Sequence, residues 1–333
     1  MSLADLVAAV LFSGVIVYAV FGGADFGSGI WDLTAGGDRR GAPLRRRIDA
    51  SIGPVWEANH VWLVFVIVFG WTAFPAAFAA VLSTCAVPLG LATVGIVLRG
   101  AGFAFRKFSA DLAQARLFGA VFATSSLITP FFLGTVAGAV ASGRVGLDGG
   151  DRWSAWTGPT SLLGGTLAVL TVAFTSAALL AADADRAGEA AVADAFRRRA
   201  LASGLVAGLV AVAGIAPLRA DAPTLADGLV GRGLVEVAVS AVAGLSALGA
   251  LYRRRYRVAR VAAIAAVVTV VAGWGFGQYP WFLVDEVTIA EAAAPASTLW
   301  ALVVTALLAL VVVVPLLVWL LRLVDTGTLD SHA

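Results

Sequence analysis

Nine apolar runs, most of them 20 residues or longer, divide this chain of 333 residues. An α-helix rises 1.5 Å per residue, so about 20 apolar residues cross a hydrocarbon core about 30 Å thick. The runs lie near 6–33, 52–80, 82–105, 115–141, 159–182, 200–218, 229–251, 259–278 and 297–322. With 60% apolar and 13% charged residues, the chain cannot close around one water-soluble core without leaving large apolar patches exposed. It reads as an all-α polytopic membrane protein of about nine transmembrane helices, a single integral membrane domain over 1–333. The runs lack the alternation and the ten-residue length of barrel strands. The first run leads into more membrane-type sequence, without a small-residue cleavage site, and reads as a retained span.

Orientation follows from the basic residues, which are retained on the cytoplasmic side. The N-terminus and the even-numbered loops carry only Arg144, Arg152, Arg219 and Arg232, leaving nineteen of the 23 Lys and Arg residues for the odd-numbered loops and the tail. An N-terminus outside and a C-terminus in the cytoplasm account for that asymmetry. A missed or false span would scramble the alternation. The net charge of +2 is then a product of topology, and the arginine clusters point to lipid headgroups, with no indication of nucleic acid.

The donor inventory excludes several chemistries. Cys85 is the single cysteine, so this chain alone cannot form an internal disulfide, a Cys-rich zinc site or a Cys-ligated iron–sulfur cluster. Haem iron in membrane oxidoreductases is usually held by His or Met, and the chain offers only His60, His332 and Met1. Only His60 lies away from the termini, so a multi-haem electron path belongs to another chain, and no metal site is expected here. Glycine-rich stretches fall inside spans without a Walker lysine, which argues against an ATP-driven machine.

Ionisable groups at membrane depth are costly and therefore functional candidates. Asp25 interrupts the first run within Phe21-Gly22-Gly23-Ala24-Asp25-Phe26-Gly27-Ser28-Gly29. Those glycines permit close helix approach. Asp32 follows seven residues later, about two turns, on the same face. The pair reads as a proton-conducting or partner-facing stripe, or more plainly as an acid neutralised by an arginine with a second at the headgroup edge. In Ile52-Gly53-Pro54-Val55-Trp56-Glu57-Ala58-Asn59-His60-Val61-Trp62, Pro54 fits a first helical turn and Glu57 and His60 share a face at i, i+3. A carboxylic acid beside an imidazole in a low-dielectric setting can pass protons. For the tryptophans an interfacial belt is the plain alternative, and for His60 a hydrogen-bonded packing role. Arg99 stands near the end of the third run, placed either to neutralise Glu57 or Asp25 across a helix interface or to snorkel to headgroups. Glu236 reads as interfacial. Gln278-Tyr279-Pro280-Trp281 with Asp285, Glu286 and Glu291 reads as a turn with interface anchors on the outer side.

Taken together, Phe21–Gly27, Ile52–Leu63, Leu98-Arg99-Gly100 and Gly273-Trp274-Gly275-Phe276-Gly277-Gln278-Tyr279-Pro280 resemble the signature stretches of cytochrome bd-type quinol oxidase subunit II, including its cyanide-insensitive branch. The resemblance runs from the first span to the last. It implies a haem-poor subunit paired with a haem-bearing subunit I, together oxidising quinol at the outer face and reducing dioxygen to water with cytoplasmic protons, in the bacterial cytoplasmic membrane. Haems b and d, or b-type variants, would sit in the partner. A small single-helix subunit, lipids and a structural quinone are further expected companions. The resemblance links the acid at Glu57 to proton delivery and makes the acid at Asp25 functionally important. With the reading of the residues, Glu57, Asp25 and His60 stand as the expected proton pathway, Arg99 as a charge partner, and Trp56, Asn59 and Trp62 as partner or interface candidates, with no residue of this chain expected to be directly catalytic. Some members carry Asp in place of Glu57 and Gln in place of His60, which makes the imidazole dispensable to the general mechanism. Two other readings stay open: a proton-coupled secondary transporter, since intramembrane acids and glycine-broken helices also mark substrate sites, and a purely structural assembly subunit.

Overall fold

The computed structural model describes residues 1–108 and 112–325, with side chains described at all of these positions except 38–40, 53–55, 57, 106–108, 112, 113, 115, 116, 313, 314, 317, 318 and 320–325. The chain starts with α1 (Leu3–Leu33), opened by a capping box in which the Ser2 hydroxyl accepts from the Asp5 amide and the Asp5 carboxylate accepts from the Ser2 amide. It continues through α2 (Asp38–Ala73), α3 (Pro75–Thr84), α4 (Ala86–Phe108), α5 (Leu112–Ala141), the single turn α6 (Ser154–Thr157), α7 (Pro159–Arg186), α8 (Ala190–Ala213), α9 (Ile215–Asp221), α10 (Pro223–Val230), α11 (Leu234–Tyr252) and α12 (Tyr256–Gln278). A short antiparallel hairpin, β1 (Trp281–Leu283) and β2 (Val287–Thr288), then leads through α13 (Ile289–Ala292) to α14 (Ala296–Asp325).

Among the described residues, α1, α4, α5, α7, α11 and α12 are each long and apolar enough to cross a membrane. The bent pairs α2–α3 and α8–α9 raise the number to as many as eight. The described apolar part of α14, Ala296–Val312, is shorter than these spans. The difference from nine uniform runs has a local cause. A proline disfavours helical backbone in the residue before it. Phe74, before Pro75, accordingly takes φ −135° and ψ 59°, and α3 turns away from α2 by 119° inside what reads as one apolar run. Ala222, before Pro223, repeats this geometry, and α9 departs from α8 by 40° at Gly214. Among the described residues the hairpin is the one place where the all-helical expectation gives way, and it forms in the aromatic and acidic segment read as a turn.

Helix α7 is the most buried of the spans and forms the centre, with α1, α5, α8 and α12 packed around it. Two apolar clusters fill opposite ends of the bundle. One gathers Ile48, Ile52, Phe174, Phe196 and Leu251, the other Val7, Leu11, Phe69, Phe74 and Leu283. Between them the helices meet through small residues, since lipid supplies no hydrophobic drive between apolar helices and close backbone approach must do that work. A Cβ on Gly27 of α1 would run into the backbone carbonyl of Val172 on α7, and one on Gly138 of α5 into the backbone at Thr160 and Ser161. Gly208 in α8, by contrast, faces open space. We therefore expect Gly27→Ala to lower the melting temperature and folded yield of the detergent-purified protein, while Gly208→Ala leaves it unchanged or raises stability by up to about 1 kcal/mol through the helix preference of alanine. Equal tolerance at both positions would contradict the close α1–α7 contact.

Candidate functional site: a buried ion pair joining four helices

The glycine-rich stretch of α1 brings Asp25 into the bundle interior, where it is fully buried. Arg99 of α4, 1% exposed, meets it: Nη2 stands 2.6 Å from Asp25 Oδ1 and donates to the Asp25 backbone carbonyl at 2.8 Å. Arg99 Nε donates to Ser126 Oγ of α5 at 2.9 Å, and Ser126 in turn donates to the Phe122 carbonyl. The guanidinium lies over the rings of Phe26 and Phe122, with its carbon 5.1 and 4.8 Å from their centroids. Asp25 Oδ2 accepts from Asn59 Nδ2 of α2 at 3.1 Å. One carboxylate thus ties α1 to α2 directly and to α4 and α5 through an arginine.

Asp32, on the same face of α1 and two turns nearer its end, is also buried and pairs with Arg45 at 3.1 Å. Both acids of the stripe are therefore neutralised, and Asp32 sits inside the protein instead of at an open headgroup edge. Two turns the other way from Asp25, Tyr18 buries its hydroxyl with no protein hydrogen-bond partner among the described residues. The same holds for Asn59 Oδ1 and the indole nitrogens of Trp56 and Trp62. Such orphan groups cost about 1–3 kcal/mol each and are usually satisfied by ordered water. Tyr18 and Asn59 carry unmet polar atoms on α1 and α2, a polar seam beside the ion pair, and Trp56 and Trp62 add two more on α2.

Glu57 lies outside the described residues. His60 is half-buried and directs Nδ1 to the Trp56 carbonyl at 2.8 Å. A carbonyl only accepts, so Nδ1 carries the hydrogen and Nε2 of the neutral ring keeps its lone pair for a proton. Trp56 packs edge-on to His60, approaches Phe103 and sits over Gly100, next to Arg99. Trp62 packs edge-on to Phe65. Asn59 is an internal ligand of the ion pair and not an exposed contact. Ser126, Phe26 and Phe122 escaped the sequence reading because nothing local marks them. Tyr18 is different, since its spacing of seven before Asp25 and fourteen before Asp32 was visible.

A haem does not fit the donors described in this chain. Met1 is 94% exposed at the helix start, His60 stands alone, and among the described residues no three His, Cys, Asp or Glu side chains converge. His332 lies outside the described residues. At the rim, Arg47 of α2 binds Glu189 in the α7–α8 turn at 2.7 Å and holds its carboxyl below the usual carboxylate range. The contribution of that pair is present at neutral pH and is lost only as the pH falls through the depressed folded pKa.

Removing one member of a buried pair strands the other charge, at about 3–5 kcal/mol, whereas removing both is far milder. Asp25→Asn and Arg99→Gln should each sharply lower folded yield and thermal stability, and the double variant should recover a large part of the loss. Additive losses in the double variant would show that the two side chains do not act as a unit.

The whole chain has known counterparts. Residues 3–324 match the family model for cytochrome bd terminal oxidase subunit II. The chain is similar to cytochrome bd ubiquinol oxidase subunit 2 of Bacillus subtilis, 33% identical over 39% of this chain and 37% of the relative. It is also similar to the putative cytochrome bd menaquinol oxidase subunit II of the same organism, 23% identical over 66% of this chain and 64% of the relative. The matched stretches therefore span less than two thirds of these relatives' lengths. In three dimensions it resembles a chain in the structure of bd oxidase from Geobacillus thermodenitrificans, with a TM-score of 0.78 and 25% identity, covering 97% of this chain and 98% of the other. A match to the family from the first helix to the last, joined to a bundle that superposes along nearly its full length, establishes that this chain belongs to the cytochrome bd terminal oxidase subunit II family.

Proposed function

We propose that this chain is the haem-poor subunit II of a quinol:oxygen oxidoreductase in the bacterial cytoplasmic membrane, and that it supports a haem-bearing subunit I while helping to deliver cytoplasmic protons. The observation that carries this reading is the buried Asp25–Arg99–Asn59 group, set in a chain matched to the subunit II family throughout. In its membrane form α2–α3, α8–α9 and α14 complete nine spans, with the N-terminus outside and the C-terminus in the cytoplasm, as the distribution of arginines favours. Haems of b and d type, or b-type variants, belong to the partner. The names of the two Bacillus relatives carry ubiquinol in one case and menaquinol in the other, so the substrate here is assigned as quinol without a ring type. A small single-helix subunit, lipids and a structural quinone complete the assembly.

The polar seam has a division of labour under this reading. Asp32 and Arg45 mark the cytoplasmic mouth, and Asp25 lies about 10 Å deeper at 1.5 Å per residue. Protonating Asp25 alone would leave the Arg99 guanidinium in a dry site without its counter-ion. Asp25 therefore serves as a fixed acceptor and electrostatic guide, while Glu57 is the acid that gains and loses the proton and His60 Nε2 an auxiliary acceptor. The tight closure of the Asp25–Arg99 pair also favours, for Asp25 itself, a mainly structural role.

The test is the complex purified through a tag on this chain, read by its reduced-minus-oxidised visible spectrum and by quinol-dependent oxygen uptake. We expect haem bands from a co-purifying partner. Glu57→Gln should keep those bands while turnover falls by about tenfold or more. Full turnover in this variant would remove Glu57 from the proton route. A stable, colourless, partner-free protein would overturn the oxidase reading.

A further inference from the structure

Where α7 closes and α12 begins, a cavity of about 410 Å³ is lined by Ala182, Asp185, Arg186, Arg257, Arg260 and Val261. Its charges do not balance within the fold. Asp183 is shared between Arg186, at 2.9 Å, and Arg260, at 2.8 Å. Arg257 is exposed and forms no ion pair among the described residues. It also stands in the first turn of α12, which has no acidic residue and no side-chain cap, so the helix dipole opposes its cation. Arg253, Arg254 and Arg255 immediately before it add further positive charge, and of these Arg254 reaches Asp194.

The cavity also has an apolar continuation. Val258 and Val261, 53% and 68% exposed, lie one turn apart on α12 and lead from the arginines along the apolar length of the helix. A ligand that fits both halves carries a phosphate at one end and hydrocarbon at the other. Arginine guanidinium groups bind phosphate oxygens through paired, charge-assisted hydrogen bonds. Asp185, at the edge of the cavity, can accept from a headgroup hydroxyl.

We propose that this cavity is a binding site for the headgroup of an anionic glycerophospholipid, its phosphodiester held by Arg257 and Arg186 with Arg260 behind them and one acyl chain lying along Val258 and Val261. Asp183 keeps Arg260 in place, so the site is held in shape before the lipid arrives. The lipid supplies the counter-charge that the acids of this rim do not. The proposal needs only that α7 and α12 span the membrane; it stands apart from proton delivery and from the identity of the partner.

The test uses the complex purified in mild detergent and stripped of co-purified lipid, then titrated with phosphatidylglycerol and followed by native mass spectrometry. Diacylglycerol and inorganic phosphate serve as parallel probes, and thermal stability verifies folding. Wild type should retain one phosphatidylglycerol more tightly than the general lipid shell. Arg186→Gln/Arg257→Gln should weaken that adduct by about tenfold, and Arg186→Lys/Arg257→Lys, which keeps the charge but loses the paired donors, should weaken it measurably and by less. Arg254→Gln, outside the cavity, should change nothing. Should the glutamine variant fail to fold, the lysine variant and the three probes still decide. Equal retention in wild type and the glutamine variant overturns the proposal, as does diacylglycerol binding as tightly as phosphatidylglycerol. Inorganic phosphate binding as tightly as the lipid overturns it too, by assigning the site to a free anion.

Discussion

A guanidinium and a carboxylate taken out of water into the middle of a helical bundle constrain everything around them. Desolvation of each ion costs several kcal/mol, and attraction repays it only when geometry and the remaining hydrogen bonds are good. The Asp25–Arg99 pair recruits Asn59, Ser126, the Asp25 carbonyl and the rings of Phe26 and Phe122, while Asp25 Oδ1 has the Arg99 charge beside it without an aligned hydrogen bond. The pair and these groups come from α1, α2, α4 and α5. The four helices must therefore be mutually in place before the pair is worth forming, which makes it a specification of the bundle more than a source of stability.

The glycines of α1 and this pair are parts of one arrangement. A Cβ on Gly29 would collide with Ser126, the hydroxyl that Arg99 uses, and one on Gly23 would press on Thr175 of α7. A helix without side chains at these positions sinks toward its neighbours, and only from that depth does a short aspartate reach an arginine rooted on α4. The price of that approach is rigidity. A proton cannot settle on Asp25 without disturbing its partner, so any transfer along this seam must use groups that change charge without breaking the tie.

How much of this was legible in the sequence depends on the range of the interaction. Hydrophobic length is a local property, and each run overlaps a helix, but α2 and α8 begin 14 and 10 residues ahead of the runs near 52–80 and 200–218, and both of those runs divide into two bent helices. The turn at Phe74-Pro75 was also local, but a hydropathy average passes over it because the residues on both sides are equally apolar. The acids were conspicuous as charges in apolar runs. The pairing of Arg99 with Asp25 stood among three alternatives, beside Glu57 and the headgroups, since Arg99 lies 74 positions from Asp25 and only the fold decides between them. The contact of Asn59 with Asp25 was hidden for the same reason, since it depends on where α1 packs. Tyr18 was readable from its seven-residue spacing, yet a neutral phenol in an apolar run draws no attention until its acidic neighbours are known to be buried.

The arginines that signal orientation have a second consequence. The fold neutralises them selectively: Arg45 by Asp32, Arg47 by Glu189, and Arg197 and Arg198 by Asp194. Those pairs join different helices or brace a single one, so the acids go where they hold the bundle. The rest of the positive charge is left at the rim, most densely ahead of α12. In water such residues would be screened within about 8 Å and would matter little. Beside a membrane they face an anionic surface across a short, poorly screened distance, at about 1 kcal/mol for each basic residue near the surface. Under the reading proposed above, in which the haems belong to a partner, this chain must be held at fixed depth and tilt against that partner. An excess of basic residues at one boundary, nineteen of the 23 by the sequence reading, with the buried pair fixing the helices relative to one another, would supply that reference.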